Sequence, residues 1–194
     1  MFCNLINITV LKTKVSVSPM FFAVLTMVLL FDKTGVSGYA VLFSIIHEIA
    51  HFLALLFTKT HPGKIEIDYF GIRILLPENM STMKKIPVLT AGFTINFVLS
   101  ALFFYLGKIV FACINLFIGL FTMLPLASTD GGEILKTILE EFFSQKAKII
   151  FKTISVSFCA VISAILIFLA FYTKNFFLFI AVVYMIFCAM KKAA

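Results

Sequence analysis

The stretch SIIHEIAHFLALLF, Ser44 to Phe57, places two histidines and a glutamate in an otherwise oily run. On a helix, residues four apart share a face, so His47 and His51 present both imidazoles to one side. Glu48 is the next residue along. Together they spell H-E-x-x-H, a spacing at which two ring nitrogens reach one ion while a carboxylate stands beside it. A histidine in a membrane helix more often packs or hydrogen-bonds than binds metal. However, the chain has only three histidines, and two of them fall at this spacing around a glutamate. Ionisable groups in a bilayer also cost about 2.5–3.5 kcal/mol each on insertion scales, which disfavours their presence without a use.

The rest of the chain says that the surroundings are a bilayer. Of 194 residues, 62% are hydrophobic and 13% charged, and the mean hydropathy is +1.12. Soluble domains run at about 45–50% apolar and about 25% charged. The net charge of +7 is then read against a membrane, where Lys and Arg collect on cytoplasmic loops. No basic block interleaved with aromatics points to nucleic acid. The cysteines, Cys3, Cys113, Cys159 and Cys188, are scattered, with neither metal nor disulfide-framework spacing.

A spanning helix takes about 20 apolar residues. Six candidate spans appear: 17–31, 37–57, 86–106, 109–126, 149–172 and 175–190. The first is short, and is read as a retained helix rather than a signal peptide because its charged lead is long and "SGYA" is a weak cleavage signal. With the N-terminus inside, the cytoplasmic face collects Lys12, Lys14, Lys59, Lys64, Arg73, Lys84, Lys85, Lys136, Lys146, Lys148, Lys191 and Lys192. The opposite face collects Lys33, Lys108 and Lys174. That asymmetry orients both termini to the cytoplasm.

Two pieces break the helical pattern. Gly63–Pro77, GKIEIDYFGIRILLP, alternates Ile65, Ile67 and Tyr69 with Lys64, Glu66 and Asp68, and Phe70-Gly71 suits a turn. This predicts a β-hairpin between the second and third spans. Leu124–Leu135, LPLASTDGGEIL, is interrupted by Pro125 and by Gly131-Gly132. An amphipathic stretch follows to about Lys148. The expected architecture is an all-α polytopic membrane protein of about six transmembrane helices, with a small membrane-associated β-hairpin and one membrane domain over residues 1–194.

A catalytic zinc takes three protein ligands and keeps one position open. Asp130 is the third candidate. The centre of HEIAH lies about eight residues, or ~12 Å, from the cytoplasmic end of its helix. Asp130 must therefore dip back into the membrane on a broken segment, which Gly131 and Gly132 permit. Irregular backbone at that depth needs protein or a water cavity around it. His61, in THPG, is off the spacing and is read as an interfacial loop residue. Arg73 is read as part of a solvated hairpin face.

These motifs resemble the site-2 proteases, a family of intramembrane zinc metalloproteases. HEIAH matches the family's H-E-x-x-H, and LPLASTDGG matches the segment with proline five residues before Asp-Gly. AGFTIN, Ala91 to Asn96, looks like the family's A-G-P-x-x-N, with Phe93 where the proline stands. Asn115, seven residues before Thr122, fits a recurrent position, and Thr122 replaces the asparagine usually found three residues before the second motif's proline. The likeness covers about residues 37–135, a three-helix catalytic core. The spans at 17–31, 149–172 and 175–190 are peripheral.

The resemblance implies one Zn2+ held by His47, His51 and Asp130, with Glu48 as the catalytic base toward water and then acid toward the leaving amine. It implies substrate positioning by Asn96, Asn115 and Thr122. The expected substrate is a transmembrane or membrane-tethered protein, cut in regulated intramembrane proteolysis in a bacterial plasma membrane. The chain looks like the compact members, without a PDZ-like or CBS domain, so a regulatory membrane partner is expected. The hairpin edge could pair with an extended substrate segment or simply plug the gap between two spans. A non-catalytic scaffold and a metal or proton transporter remain alternatives. Intramembrane His, Glu and Asp also mark ion pathways, but no repeated halves are found.

Overall fold

The computed structural model describes residues 6–10, 13–60, 62–68, 71–77, 80–127, 129–143 and 145–173. His61, Phe70 of the expected Phe70-Gly71 turn, and the proposed span at 175–190 lie outside the described residues, while Gly71 begins a strand. The chain forms two compact units, Met1–Leu120 and Phe121–Ala194.

The first unit opens with two strands, β1 (Ile6–Val10) and β2 (Thr13–Val17). Helices α1 (Pro19–Phe31) and α2 (Val36–Phe57) follow, then β3 (Lys64–Asp68) and β4 (Gly71–Leu75). Helix α3 (Thr82–Tyr105) and most of α4 (Ile109–Met123) complete it. The predicted hairpin is present as β3 and β4, antiparallel with Glu66 opposite Arg73. It is half of a larger sheet than the sequence suggested. β1 and β2 form a second antiparallel hairpin, and β2 runs parallel to β3, giving the order β1-β2-β3-β4.

Parallel neighbours need a crossover, and here the crossover is the α1–α2 pair. Lys14 therefore stands opposite Lys64, which puts the start of α1 and the end of α2 at the same sheet. The first span also begins later than expected. Val17 ends β2, and the Ser18 N–H donates to the Ile67 carbonyl at 2.7 Å, extending the sheet pairing by one residue. Proline at the first helical position then starts α1, its fixed φ suiting the turn and its missing N–H costing nothing there.

Asp32 organises the loop between α1 and α2. Its Oδ1 accepts from Thr34 N, Thr34 Oγ1 and Gly35 N at 2.8, 2.7 and 3.1 Å, and its Oδ2 accepts from Ser37 N at 2.6 Å. Donation from the Thr34 hydroxyl and amide, then from Ser37, holds its carboxyl down at about 2.

Among the described residues, three helices are long and apolar enough to cross a membrane: α2, α3 and α6 (Ala147–Thr173). Helices α1 and α4 are apolar but shorter. At 1.5 Å per residue they reach ~20 Å and ~22 Å against a hydrocarbon core of about 30 Å. Helix α4 stops at Met123 because the residue before Pro125 is pushed out of the helical region. Large apolar side chains face outward, Leu30, Phe57 and Phe117 among them, while the buried set includes Asn96, Asn115, His47 and His51. Apolar residues outside and polar ones inside suit a lipid surround.

The core of this unit is a row on α2. Phe43, His47, His51 and Leu55 are its buried residues, each four after the last. Against it lies α3, whose buried residues are Val88, Leu89, Gly92 and Asn96, and α4 buries Ala112, Asn115 and Gly119. An aromatic cluster of Tyr39, Phe43, Phe103 and Phe111 packs at one end, with ring centroids 4.6–5.9 Å apart.

In the second unit, the amphipathic stretch is helix α5 (Asp130–Phe143), which packs against α6. The sequence reading made Gly131 and Gly132 the turn residues of a broken segment. They instead lie in the first turn of α5, directly after Asp130. The irregular backbone lies ahead of them, at residues 124–127 and at Thr129.

Candidate metal centre

Both histidine rings are held from behind. His51 Nδ1 lies 2.7 Å from the backbone oxygen of Val88, an atom that only accepts, so Nδ1 carries the hydrogen. His47 Nδ1 lies 3.0 Å from Asn96 Oδ1. The Asn96 amide is oriented in turn. Asn115 Nδ2 donates to the Phe111 carbonyl at 2.9 Å. Its Oδ1 therefore faces Asn96 and accepts from Asn96 Nδ2 at 3.5 Å. That leaves Asn96 Oδ1 for the His47 N–H. Each Nδ1 thus donates backward, which turns Nε2 toward the other ring.

Those two Nε2 atoms face each other at 3.2 Å, in side chains 4% and 5% exposed. Paired imidazole nitrogens turned to a common point are an ordinary donor set for a metal ion. The space at these atoms is kept open by Gly92. A Cβ there would lie 2.5 Å from His47 Nε2 and would strike His51 Nε2. The histidine donor set and the missing side chain over it fit a metal.

Glu48 follows His47 on α2 and is half-buried. Asp130 is the first residue of α5 and also half-buried. What places Asp130 is close backbone packing. A Cβ on Gly131 would collide with the Met123 carbonyl oxygen, and one on Gly132 with that of Leu126. Thr129 precedes Asp130 and is 8% exposed. Its hydroxyl bonds the Leu124 carbonyl, donates toward that of Leu126 at 3.0 Å, and accepts from Gly132 N at 3.3 Å. Such an N-cap satisfies an otherwise orphaned helix amide.

Asn96 and Asn115 are fully buried, and Thr122 is half-buried near the end of α4. The sequence reading did not find Gly92 as a space-keeper, the Val88 and Phe111 carbonyls as anchors, or Thr129 as a cap. Only Gly92 left a trace, since it lies four residues before Asn96 on one helix face.

The fold and these residues define a class: a polytopic membrane protein whose central helix carries H-E-x-x-H with both imidazoles turned to a common point. The solved "Site-2 Protease from Methanocaldococcus jannaschii" has this fold. It matches with a TM-score of 0.70 at 15% identity, over 100% of this chain and 96% of that one. No family model and no curated protein matches the chain.

Proposed function

We propose that the chain is an intramembrane zinc endopeptidase that cuts a transmembrane or membrane-tethered protein. In this reading His47, His51 and Asp130 together hold one Zn2+. The observation that carries this reading is the approach of the two Nε2 atoms to 3.2 Å beside Gly92. A fold likeness that takes in both units supports it further.

Zinc in such a site supplies Lewis-acid polarisation of a carbonyl and a water of lowered pKa. The chain's own residues do the rest. Glu48, beside the ligands on α2, takes a proton from the attacking water and returns it to the leaving amine, a role that typically contributes 10²–10⁴-fold. The His47 and His51 Nδ1–H groups donate to Asn96 Oδ1 and to the Val88 carbonyl, which holds both rings in place. Thr122 is assigned to the substrate side.

Positive-inside asymmetry places the sheet end of α1 and α2 in the cytoplasm, with both termini on that side of a bacterial plasma membrane. Lys14 and Lys64, opposite one another in the sheet, fall together on that face. A regulatory membrane partner fits a substrate that must be presented to a buried site.

The test is cleavage of reconstituted single-span substrates by wild type and Glu48→Gln. The expected result is a fragment from wild type and a fall of about 10²–10⁴ in rate in the variant. Equal cleavage by the two, or none by zinc-loaded wild type across a substrate panel, removes the protease reading.

A further inference from the structure

We propose that Asn115 and Asn96 form a polar relay, anchored on the Phe111 carbonyl, that sets the tautomer of His47 and thereby its capacity to ligate a metal. They are positioning residues, one and two steps removed from the ion. This differs from the substrate-positioning role that the family resemblance implies for them. Its second half, the effect on metal, rests on the metalloprotease reading. The tautomer itself does not.

The direction of the relay is fixed at its far end. A backbone carbonyl can only accept, so the amide group of Asn115 must present Nδ2 to Phe111. Each amide then orients the next, and the last oxygen meets His47 Nδ1. Reversal of any link presents a donor to Nδ1. The His47 hydrogen then moves to Nε2, and the ring can no longer offer a lone pair to the point it shares with His51. His51 has a shorter arrangement, because Val88 O accepts and cannot flip. The two ligands thus differ in robustness. One tautomer is imposed by backbone, the other by two side-chain amides in series.

A buried asparagine between membrane helices can also be plain interhelical glue. The two roles part at the choice of substitution. Asn115→Leu removes the acceptor that holds Asn96, which frees its amide to flip. Asn115→Asp, neutral when buried, restores both links, since its O–H donates to Phe111 O and its C=O accepts from Asn96. Glue would be weakened in Asn115→Leu with no change in the proton position on a remote ring.

The experiment is 15N NMR of histidine-labelled, metal-free full chain in detergent, with the His47 signals assigned by their loss in His47→Gln. Zinc affinity of the same proteins is measured alongside. Wild type is expected to show His47 as the Nδ1–H tautomer, Asn115→Leu to shift it toward Nε2–H, and Asn115→Asp to restore it. Zinc affinity is expected to fall about 10–100-fold in Asn115→Leu, the usual cost of losing an outer hydrogen-bond partner, and to return in Asn115→Asp. An Nε2–H ring in wild type overturns the proposal even if no variant folds, as does an unshifted tautomer in a folded Asn115→Leu. If the tautomers behave as expected and no protein binds zinc, the relay stands and the metalloprotease reading falls.

Discussion

The histidine pair and the Asp130 segment reach their places by opposite means. His47 and His51 sit mid-way along a 22-residue helix, where the backbone is fixed by its own ladder and the side chains need orienting. Hydrogen bonds from the Nδ1 atoms do that, to Asn96 and to the Val88 carbonyl. Asp130 opens a helix after an irregular stretch, so there the backbone itself needs fixing. Glycines pressed on the carbonyls of Met123 and Leu126, with the Thr129 cap, do that. A regular element hands the work of precision to polar side chains, whereas an irregular one hands it to side chains that are absent or short.

The contrast is most exposed to substitution at Gly132. Gly132→Ala drives a methyl into backbone that cannot rotate aside, so the segment must shift. Overpacking typically costs about 1–3 kcal/mol, and the rigid neighbour puts this at the upper end or beyond. The expected outcome is poor accumulation or early unfolding in detergent, together with loss of zinc. A stable Gly132→Ala that holds zinc would break the contrast.

Gly92→Ala is expected to behave differently, because its methyl meets side chains. The rings are forced off their Nδ1 hydrogen bonds and zinc is lost, and that loss outweighs the up to about 1 kcal/mol of helix propensity that α3 gains. Thermal unfolding of the metal-free variant is therefore expected below that of wild type, but by less than in Gly132→Ala. Thr129→Ala ranks next, with a loss of about 1 kcal/mol from the missing cap and recovery in Thr129→Ser. Chemical denaturation of the purified proteins reads both.

Asp32 gives the smallest effect and the only one tied to pH. Its carboxyl is held at about 2, below the ordinary value of 3.8, by Thr34 and Ser37. A depressed carboxyl contributes stability above its unfolded value and loses it as pH falls toward the folded one. Between pH 4 and 2, wild type is expected to lose stability that Asp32→Asn, lacking the charge, does not. Parallel acid profiles for the two would remove Asp32 as the organiser of the loop.

Different parts of this arrangement were open to sequence reading in different degrees. H-E-x-x-H was plain, because helical periodicity maps four residues to one face. The β3–β4 hairpin was plain, because strand alternation survives in KIEID. The β1–β2 hairpin was missed although Ile6, Ile8 and Val10 alternate with Asn7 and Thr9. Its parallel partner lies about fifty residues on, and only tertiary pairing stabilises so short a segment. The amphipathic stretch was seen, but the start of α5 was not, since Asp-Gly-Gly has turn propensity and only the packing of nearby carbonyls makes it helical. The Asn115–Asn96 link joins residues nineteen apart on two helices, and no local pattern announces it.

The central claim, that the histidine pair and Asp130 hold one metal, is tested most directly by zinc per chain in purified wild type, Glu48→Gln and Asp130→Ala. The account predicts about one zinc in the first two and most of it lost in the third. Zinc bound as well by Asp130→Ala as by wild type, or none in wild type, would contradict it.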